Sequence, residues 1–274
     1  MTVLTGLLHK MSVQDAVPVE YRLSLSDETV LLNDLVGQQV TLRFHGKIFC
    51  THCGKKTKKS YSQGFCYPCF KKLACCDLCI MSPEKCHYSA GTCREPEWGE
   101  QFCFQDHIVY LANSSGLKVG ITRETQVPTR WIDQGASSAL PILRVSSRLQ
   151  SGLVEDLLRN HVSDRTDWRT MLRKEAEPID LLSERDRLLT ACAEPLLALQ
   201  QRFGIDAIHP LPDAQPFVFQ YPIEHYPTKV SALSLDKTPE ITGVLQGIKG
   251  QYLILDTGVL NIRKFNAYEV ELAY

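Results

Sequence analysis

Two pairs of cysteines have the spacing of metal-binding knuckles. Cys50 and Cys53 form one CxxC, and Cys66 and Cys69 form a second after twelve intervening residues. Two sulfur atoms three residues apart on a tight turn can face one ion, and a second pair completes the tetrahedron that zinc prefers. Inert thiols do not require this spacing, and a redox CxxC is single and begins a helix after a strand. The four cysteines therefore predict a structural zinc site.

Further cysteines follow the second knuckle and are numerous enough for another four-coordinate zinc. The candidate ligands are Cys76, Cys79, Cys86, Cys93 and Cys103. The first two of these form a third CxxC. Cys75 and His87 are predicted to be spare, because adjacent residues rarely direct both side chains at one ion. His107 is an alternative ligand in place of one cysteine, so the sequence predicts one or two zinc ions.

Lysine and aromatic residues are interleaved through the stretch from Lys47 to Cys76, which contains no Asp or Glu. The lysines are Lys47, Lys55, Lys56, Lys58, Lys59, Lys71 and Lys72, and the aromatic residues interleaved among the later lysines are Tyr61, Phe65, Tyr67 and Phe70. This composition suits a surface that contacts phosphates and stacks on bases, which indicates DNA or RNA as a partner. Alternatively, the lysines offset the negative charge of a four-thiolate zinc site. Both interpretations remain open.

The overall composition is that of a globular protein with several small domains. The 274 residues carry a formal net charge of -1, which argues against a protein that coats nucleic acid with its whole surface. No apolar run is long enough for a membrane span, and the first residues lack the pattern of a signal peptide. We therefore expect no membrane association and a cytoplasmic location, where thiols stay reduced and bind metal.

Hydrophobic periodicity predicts an α+β fold. Strand-like alternation marks VEYRLSL, QVTLRF, HIVYLAN, GLKVGIT and ALPILRV, whereas PTRWIDQG and SGLVEDLLRNHV have helical patterns. A longer helical stretch contains Pro195, which is expected to end or kink a helix, and five prolines between 206 and 228 predict a linker or strap. We expect four segments: an N-terminal β segment at 1–46, a zinc-ribbon-type cysteine-rich module at 47–106, a small antiparallel sheet with flanking helices at 107–205, and a linker with a C-terminal β segment at 206–274.

Two short motifs on the predicted strands carry a resemblance to known families. Ile108-Val109-Tyr110 and Lys118-Val119-Gly120 lie ten residues apart and resemble the paired motifs of the GIY-YIG nuclease superfamily. From Cys50 to about His161 the chain also resembles the bacterial domain-of-unknown-function family 2797. The stretches that carry this likeness are GFCYPCF, CDLCIMSPEKCHYSAGTCRE, VYLANSSGLKVGITRETQVPTRWIDQGA and SGLVEDLL. The resemblance implies that the small sheet is a GIY-YIG-like core.

The superfamily resemblance implies metal-dependent cleavage of phosphodiester bonds. By this resemblance Tyr110 is the general base or the positioner of the attacking water. Arg130 stabilises charge on the phosphate, and Glu155 holds Mg²⁺ or Mn²⁺. Lys118 stands where the superfamily has a second tyrosine and would supply a charged donor to the phosphate. These four residues are the predicted catalytic set.

Other interpretations of the same residues stay open. Ile108 in place of glycine and Lys118 in place of tyrosine favour a non-catalytic protein that binds nucleic acid or a ribonucleoprotein. In a third interpretation zinc only stabilises the fold, and the partner is a protein. Tyr110 could pack in the core, and Arg130 could form an ordinary i,i+3 pair with Asp133. Glu155 could be a solvated helix residue, and the polar end of the helix at 133–135 could line the cleft that Tyr110, Arg130 and Glu155 would form.

Overall fold

The computed structural model describes residues 2–274, which form helices and antiparallel sheets. The strands are β1 Val3–Leu7, β2 Ser12–Gln14, β3 Glu20–Leu25, β4 Glu28–Leu31, β5 Gln39–Phe49, β6 Lys56–Thr57, β7 His107–Asn113, β8 Leu117–Arg123, β9 Ser138–Val145, β10 Ile208–Pro210, β11 Phe217–Val218, β12 Glu240–Lys249, β13 Tyr252–Leu255, β14 Gly258–Asn261 and β15 Tyr268–Ala273. The α-helices are α1 Tyr67–Lys72, α2 Pro96–Cys103, α3 Thr129–Asp133, α4 Arg148–Leu158, α5 Trp168–Arg173, α6 Leu181–Ala191 and α7 Ala193–Phe203. None of these helices is long and apolar enough to cross a membrane.

The largest sheet joins the two ends of the chain. Its strand order is β1-β15-β5-β12-β13-β14, with β6 attached to β5, and Val3 lies opposite Ala273. Alternate residues of β5, such as Val40 and Leu42, are buried, as a strand with one face on a core requires. The first and last predicted segments therefore share one sheet. The boundaries of the four segments stay a prediction.

The central strand of a second sheet, β7, is buried on both faces. This sheet has the order β10-β9-β7-β8, with β11 attached to β9. Ile108, Tyr110 and Ala112 belong to the hydrophobic core of the large sheet. Val109 and Leu111 belong to a separate core that includes residues of α4 and α6. Because successive side chains of a strand point to opposite faces, Tyr110 faces α3 and the large sheet.

Helix α4 packs against the second sheet and the cysteine-rich segment together. Ser147 caps its N-terminus by accepting a hydrogen bond from the Gln150 amide at 3.4 Å. Val154 and Leu158 are fully buried on its apolar face. At Gly152 a Cβ atom would lie 2.5 Å from the backbone nitrogen of Glu84, so only glycine permits this approach. The helix therefore connects the sheet to the turn at Pro83–Lys85.

The structure shows where Pro195 and the proline-rich stretch at 206–228 lie. The long helical stretch breaks at Cys192 into α6 and α7, so Pro195 does not end or kink a helix. It lies in the first turn of α7, where a missing amide donor costs no intrahelical hydrogen bond. The proline-rich stretch at 206–228 contributes β10 and β11, which pair with β9, so it is a strap along the sheet edge.

Candidate metal centre and polar cleft

The four cysteines of the two CxxC knuckles converge on one point. The sulfur atoms of Cys50, Cys53, Cys66 and Cys69 all lie within 4.8 Å of one another. The Cys53 and Cys66 sulfur atoms are 3.8 Å apart. Zinc–sulfur bonds of about 2.3 Å in a tetrahedron place the sulfur atoms about 3.8 Å apart, so this group fits zinc. We refer to these residues as the first cysteine cluster.

Local backbone geometry shapes the first cysteine cluster. Gly54 closes the first knuckle with a positive φ of 68° and donates its amide to the Cys50 carbonyl at 2.9 Å. Cys66 immediately precedes α1, so its partner Cys69 lies in the first turn of a helix. Burial raises the pKa of the Cys50 thiol, but backbone amides of Cys66, Cys53 and His52 outweigh this and lower it to about 6. A thiolate therefore forms more readily at Cys50 than at Cys69, whose pKa is raised chiefly by burial.

Four of the later cysteines line one small cavity. These residues, which we call the second cysteine cluster, are Cys79, Cys86, Cys93 and Cys103. Cys76 lies apart from them against expectation, with its sulfur 3.9 Å from that of Cys75. His107 is fully buried in β7, is absent from the cavity lining, and pairs its Nδ1 with the Gln105 carbonyl at 2.7 Å. His87, predicted to be spare, does line the cavity.

The two resembling motifs meet on adjacent strands. Tyr110 of β7 lies directly opposite Gly120 of β8. The Tyr110 hydroxyl donates a hydrogen bond to Gln134 Oε1 at 2.9 Å, and the Lys118 ammonium donates to the same atom at 2.7 Å. Lys118 and Tyr110 lie on the same face of the sheet, because Lys118 is paired with Ala112. The amide oxygen of Gln134 thus joins the two strands to the end of α3.

Arg130 and Glu155 flank this polar group. The charges of Arg130 and Glu155 both act on Tyr110 and on Lys118, so the four predicted catalytic residues lie in one cluster. Neither Arg130 nor Glu155 forms an ion pair within residues 2–274. We refer to these four side chains and Gln134 together as the polar cleft.

Burial controls the protonation of the cleft residues. It raises the pKa of Tyr110 to about 12, so the phenol is neutral near pH 7 and acts as a hydrogen-bond donor. It lowers the pKa of Lys118 to about 8, with Arg130 lowering it further. It raises the pKa of Glu155 to about 7 against the opposing charge of Arg159, and the nearby Asp164 acts in the same direction as burial. A neutral Tyr110 suits the positioning of water better than the removal of its proton.

One side chain near the polar cleft comes from a distant part of the chain. Arg263 precedes β15, and its pKa is lowered by burial and then by the charge of Arg130. The two guanidinium groups therefore lie close enough for their charges to interact, and the carboxylate of Asp133 partly offsets this repulsion. Nothing in the sequence near Arg263 indicated this placement. Gln134 had only its position at a helix end as a signal.

Hydrogen bonds and packing distinguish between the alternative roles of Arg130 and Tyr110. Asp133 pairs with Lys10 at 2.7 Å and accepts from Gln251 at 2.8 Å, so its two oxygens are engaged away from Arg130. Tyr110 is 1% exposed and packs edge-on against Trp131, with 5.6 Å between ring centroids. Its ring is therefore part of the core, and its hydroxyl is part of the polar cleft.

Comparison with known proteins places the chain in a family. Residues 37–270 match the family described as "Protein of unknown function (DUF2797)". The chain belongs to this family. No curated protein and no solved structure matches it. The DUF2797 match includes both cysteine clusters and every side chain of the polar cleft, so these features lie within the part of the chain that defines its membership.

The DUF2797 chain also presents an exposed basic surface beside the first cysteine cluster. Lys47 pairs with Glu269 at 2.9 Å and is therefore neutralised. The remaining lysines of this stretch are exposed and have no carboxylate partner within residues 2–274: Lys55, Lys56, Lys58, Lys59, Lys71 and Lys72. Tyr61 stacks on Phe70 at 5.6 Å, and the neighbouring Tyr67 is 54% exposed. We call these six lysines and three rings the basic surface.

Proposed function

We propose that this DUF2797 protein acts on nucleic acid as a GIY-YIG-type, metal-dependent endonuclease that cleaves phosphodiester bonds in DNA or RNA. One observation carries the proposal: the Glu155 carboxylate and the Arg130 guanidinium share a cleft with Tyr110 and Lys118, yet neither charge is paired within residues 2–274. Partly buried charges without partners cost stability, and such groups are concentrated at functional sites.

The donor set of the cleft suits a hard divalent cation at Glu155. This carboxylate is half-buried, and its pKa is raised to about 7, chiefly by burial. Asp164 and Glu84 also raise this pKa, but Asp164 is paired with Arg159 and Arg165, and the charge of Arg159 acts on Glu155 in the opposite direction. Mg²⁺ and Mn²⁺ prefer carboxylate ligands beside substrate oxygens. A bound ion of this kind would polarise the phosphate and stabilise charge on the leaving oxygen.

The cationic side chains are suited to holding the scissile phosphate. Arg130 and Arg263 would approach its non-bridging oxygens, and a guanidinium can donate two parallel hydrogen bonds to such oxygens. Lys118 remains protonated near pH 7, because its pKa is about 8, and would add a third positive group. These charges would lie beside the phosphate, where negative charge increases during cleavage.

Tyr110 and Gln134 are suited to orienting the attacking water. The neutral Tyr110 hydroxyl now donates to Gln134, which also accepts from Lys118. Entry of a phosphate would draw Lys118 toward the substrate and free one acceptor site on the Gln134 amide. Gln134, held by Tyr110, would then accept a hydrogen bond from the attacking water and fix its direction of attack.

The basic surface would bind the substrate outside the cleft. Its six unpaired lysines suit phosphates along a strand, and the exposed Tyr67 ring suits a base. Binding through such groups depends weakly on sequence. The basic surface would therefore hold the nucleic acid, while phosphodiester cleavage would take place in the polar cleft.

The test is a cleavage assay with a panel of single- and double-stranded DNA and RNA, with and without Mg²⁺ or Mn²⁺. We expect metal-dependent cutting that is lost in Glu155→Gln, while binding and unfolding free energy change little. Glu194→Gln is the matched control, because it makes the same change at an exposed helix position outside the cleft. Cutting that persists in Glu155→Gln would exclude the assigned role.

A second candidate is a non-catalytic protein that binds nucleic acid or a ribonucleoprotein. The observation that favours it is the near-complete burial of Tyr110, together with Lys118 in place of a second tyrosine. In this case the panel would be bound through the basic surface, and no substrate would be cut with any metal. The absence of both binding and cutting would leave the zinc-stapled structural protein as the remaining interpretation.

A further inference from the structure

The segment between β5 and β7 lacks a hydrophobic core. Within residues 2–274, none of the three buried apolar clusters includes a residue between 50 and 106. Beyond the first cysteine cluster this segment consists of short 3-10 turns and the helices α1 and α2. Small units that cannot bury enough apolar surface are commonly held by metals or disulfides. All eleven cysteines of the chain are free thiols, so disulfides do not hold this segment.

The second cysteine cluster is drawn from four separate places in this segment. Cys79 and Cys86 come from the 3-10 turns, Cys93 precedes α2, and Cys103 ends it. All four line the same cavity, and the charges of these thiols act on one another. No three of their sulfur atoms lie within 4.8 Å of one another, so an ion would have to draw them together. The cavity holds about 20 Å³, which is enough for a single ion or water. The cavity is also lined by Ala74, Tyr88 and Trp98, so the four thiols share a small enclosed space with apolar side chains.

An arginine of α4 faces this cluster without a carboxylate partner. Arg148 lies close to Cys79 and Cys103, and it forms no ion pair within residues 2–274. One terminal nitrogen donates to the Ile80 carbonyl at 2.6 Å, whereas its buried Nε has no hydrogen-bond partner. A buried, unpaired guanidinium is costly unless negative charge lies beside it. A zinc ion with four thiolates carries a net charge of about -2 and would supply that charge.

A mixed ligand set at the same cavity is the competing arrangement. Asp77, Cys79 and His87 each offer a ligand atom within 4.8 Å of the others. Asp77 is already engaged, because it pairs with Arg94 at 2.8 Å and accepts from the Leu78 amide at 2.6 Å. His87 pairs its Nδ1 with the Thr92 hydroxyl at 2.8 Å and lies 3.4 Å from Asp77. These contacts give both residues a role in shaping the loop without a metal bond.

We propose that the second cysteine cluster binds a second structural zinc ion through its four thiolates, and that Arg148 balances part of the resulting negative charge. Binding releases the four thiol protons to solvent, and no oxidation is involved. Because α4 contacts the same segment at Gly152, the ion also anchors that segment to the second sheet. The site does not depend on the proposed nuclease activity.

The test is the zinc content of the full-length protein purified under reducing conditions, measured by mass spectrometry of the metal. We expect two zinc ions per chain in the wild type and one in Cys79→Ser/Cys103→Ser. Cys75→Ser/Cys192→Ser is the matched control, because it removes two thiols outside both clusters and should keep two ions. A single zinc in the wild type would overturn the proposal.

Cobalt substitution in the wild type provides a measurement that does not need a folded cysteine variant. The thiolate-to-cobalt charge-transfer band grows with each cobalt–sulfur bond, so two four-thiolate sites give eight bonds per chain. His87→Ala should leave both the band and the zinc content unchanged. Loss of one ion in that variant would favour the mixed ligand set and overturn the four-cysteine assignment.

The role of Arg148 is tested by the rate at which a chromophoric chelator removes zinc. In Arg148→Met we expect one of the two ions to leave several-fold faster, since the thiolates would lose their neighbouring positive charge. Arg144→Met is the control, because Arg144 is exposed on β9 and lies outside the cluster. An unchanged rate in Arg148→Met would refute the charge-balancing role.

Discussion

The ring of Tyr110 lies over the backbone of Gly120 on the neighbouring strand. A Cβ atom at position 120 would be 2.6 Å from the Tyr110 hydroxyl oxygen and 2.7 Å from the ring carbon that bears it. These distances are shorter than any ordinary contact between such atoms. The glycine of the second motif is therefore required by the tyrosine of the first, because only glycine leaves room for the ring that reaches Gln134.

This close approach predicts the effect of Gly120→Ala. The added methyl group should displace Tyr110, break its hydrogen bond to Gln134, and lower the unfolding free energy by about 1–3 kcal/mol. The measurement is urea unfolding of single and double variants. In a Tyr110→Leu background Gly120→Ala should cost much less, because the clashing ring is gone. Equal costs in both backgrounds would show that the ring is not the cause.

The first cysteine cluster predicts a loss of metal and structure in Cys66→Ser. One zinc per chain should be lost, and the segment around α1 should unfold, because zinc binding supplies the folding free energy of a small metal module. Metal analysis and hydrogen exchange would measure these two effects. Cys192→Ser is the control, since this buried thiol lies outside both clusters, and it should retain all zinc. Full zinc content in Cys66→Ser would contradict the assignment.

A buried lysine predicts that stability rises in mild alkali. Lys249 is 1% exposed beside the ring of Tyr221, and burial lowers its pKa to about 8. In the unfolded chain its pKa is about 10.4, so between these values the unfolded state binds more protons. The unfolding free energy should therefore increase with pH in this window, by about 1.4 kcal/mol per pH unit from this group.

Lys249→Met isolates this contribution from other groups that titrate in alkali. The variant should be more stable than the wild type at pH 7, and its advantage should shrink as the pH rises above about 8. Urea unfolding at pH 7, 8, 9 and 9.5 would measure the difference. Parallel pH profiles of the two proteins would mean that Lys249 keeps its ordinary pKa in the folded state.

The basic surface predicts a change in the salt dependence of nucleic-acid binding. Lys55→Gln/Lys56→Gln should weaken binding to all sequences alike and reduce the slope of log K against log salt by about 1 for each phosphate that a lysine no longer neutralises. Lys229→Gln is the control, because this lysine is exposed but lies outside the basic surface. If the lysines only offset thiolate charge, the double variant should lower zinc affinity and leave the slope unchanged.

Features that depend on short sequence separation were predictable. The four-cysteine group that fits zinc was predictable from two CxxC knuckles, because the turn of each knuckle already brings its two sulfur atoms together. The strands at 107–113 and 117–123 follow from apolar runs around a polar turn, and their tight connection sets Tyr110 opposite Gly120. The mixed helix and sheet content and the match to the DUF2797 family agree with these local patterns.

Features that depend on long-range packing were decided only by the tertiary structure. Cys76 has the spacing of a third knuckle with Cys79, but its side chain lies against Cys75 and outside the cavity that holds the second cysteine cluster. Arg263 reaches the polar cleft from a position far along the chain because β15 returns to pair with β5. Sequence spacing determines which side chains a single turn brings together. The packing of the sheets and α4 determines which distant charges lie close together. An apolar face of a strand or helix could pack against many different elements, and only the folded core determines which one it contacts.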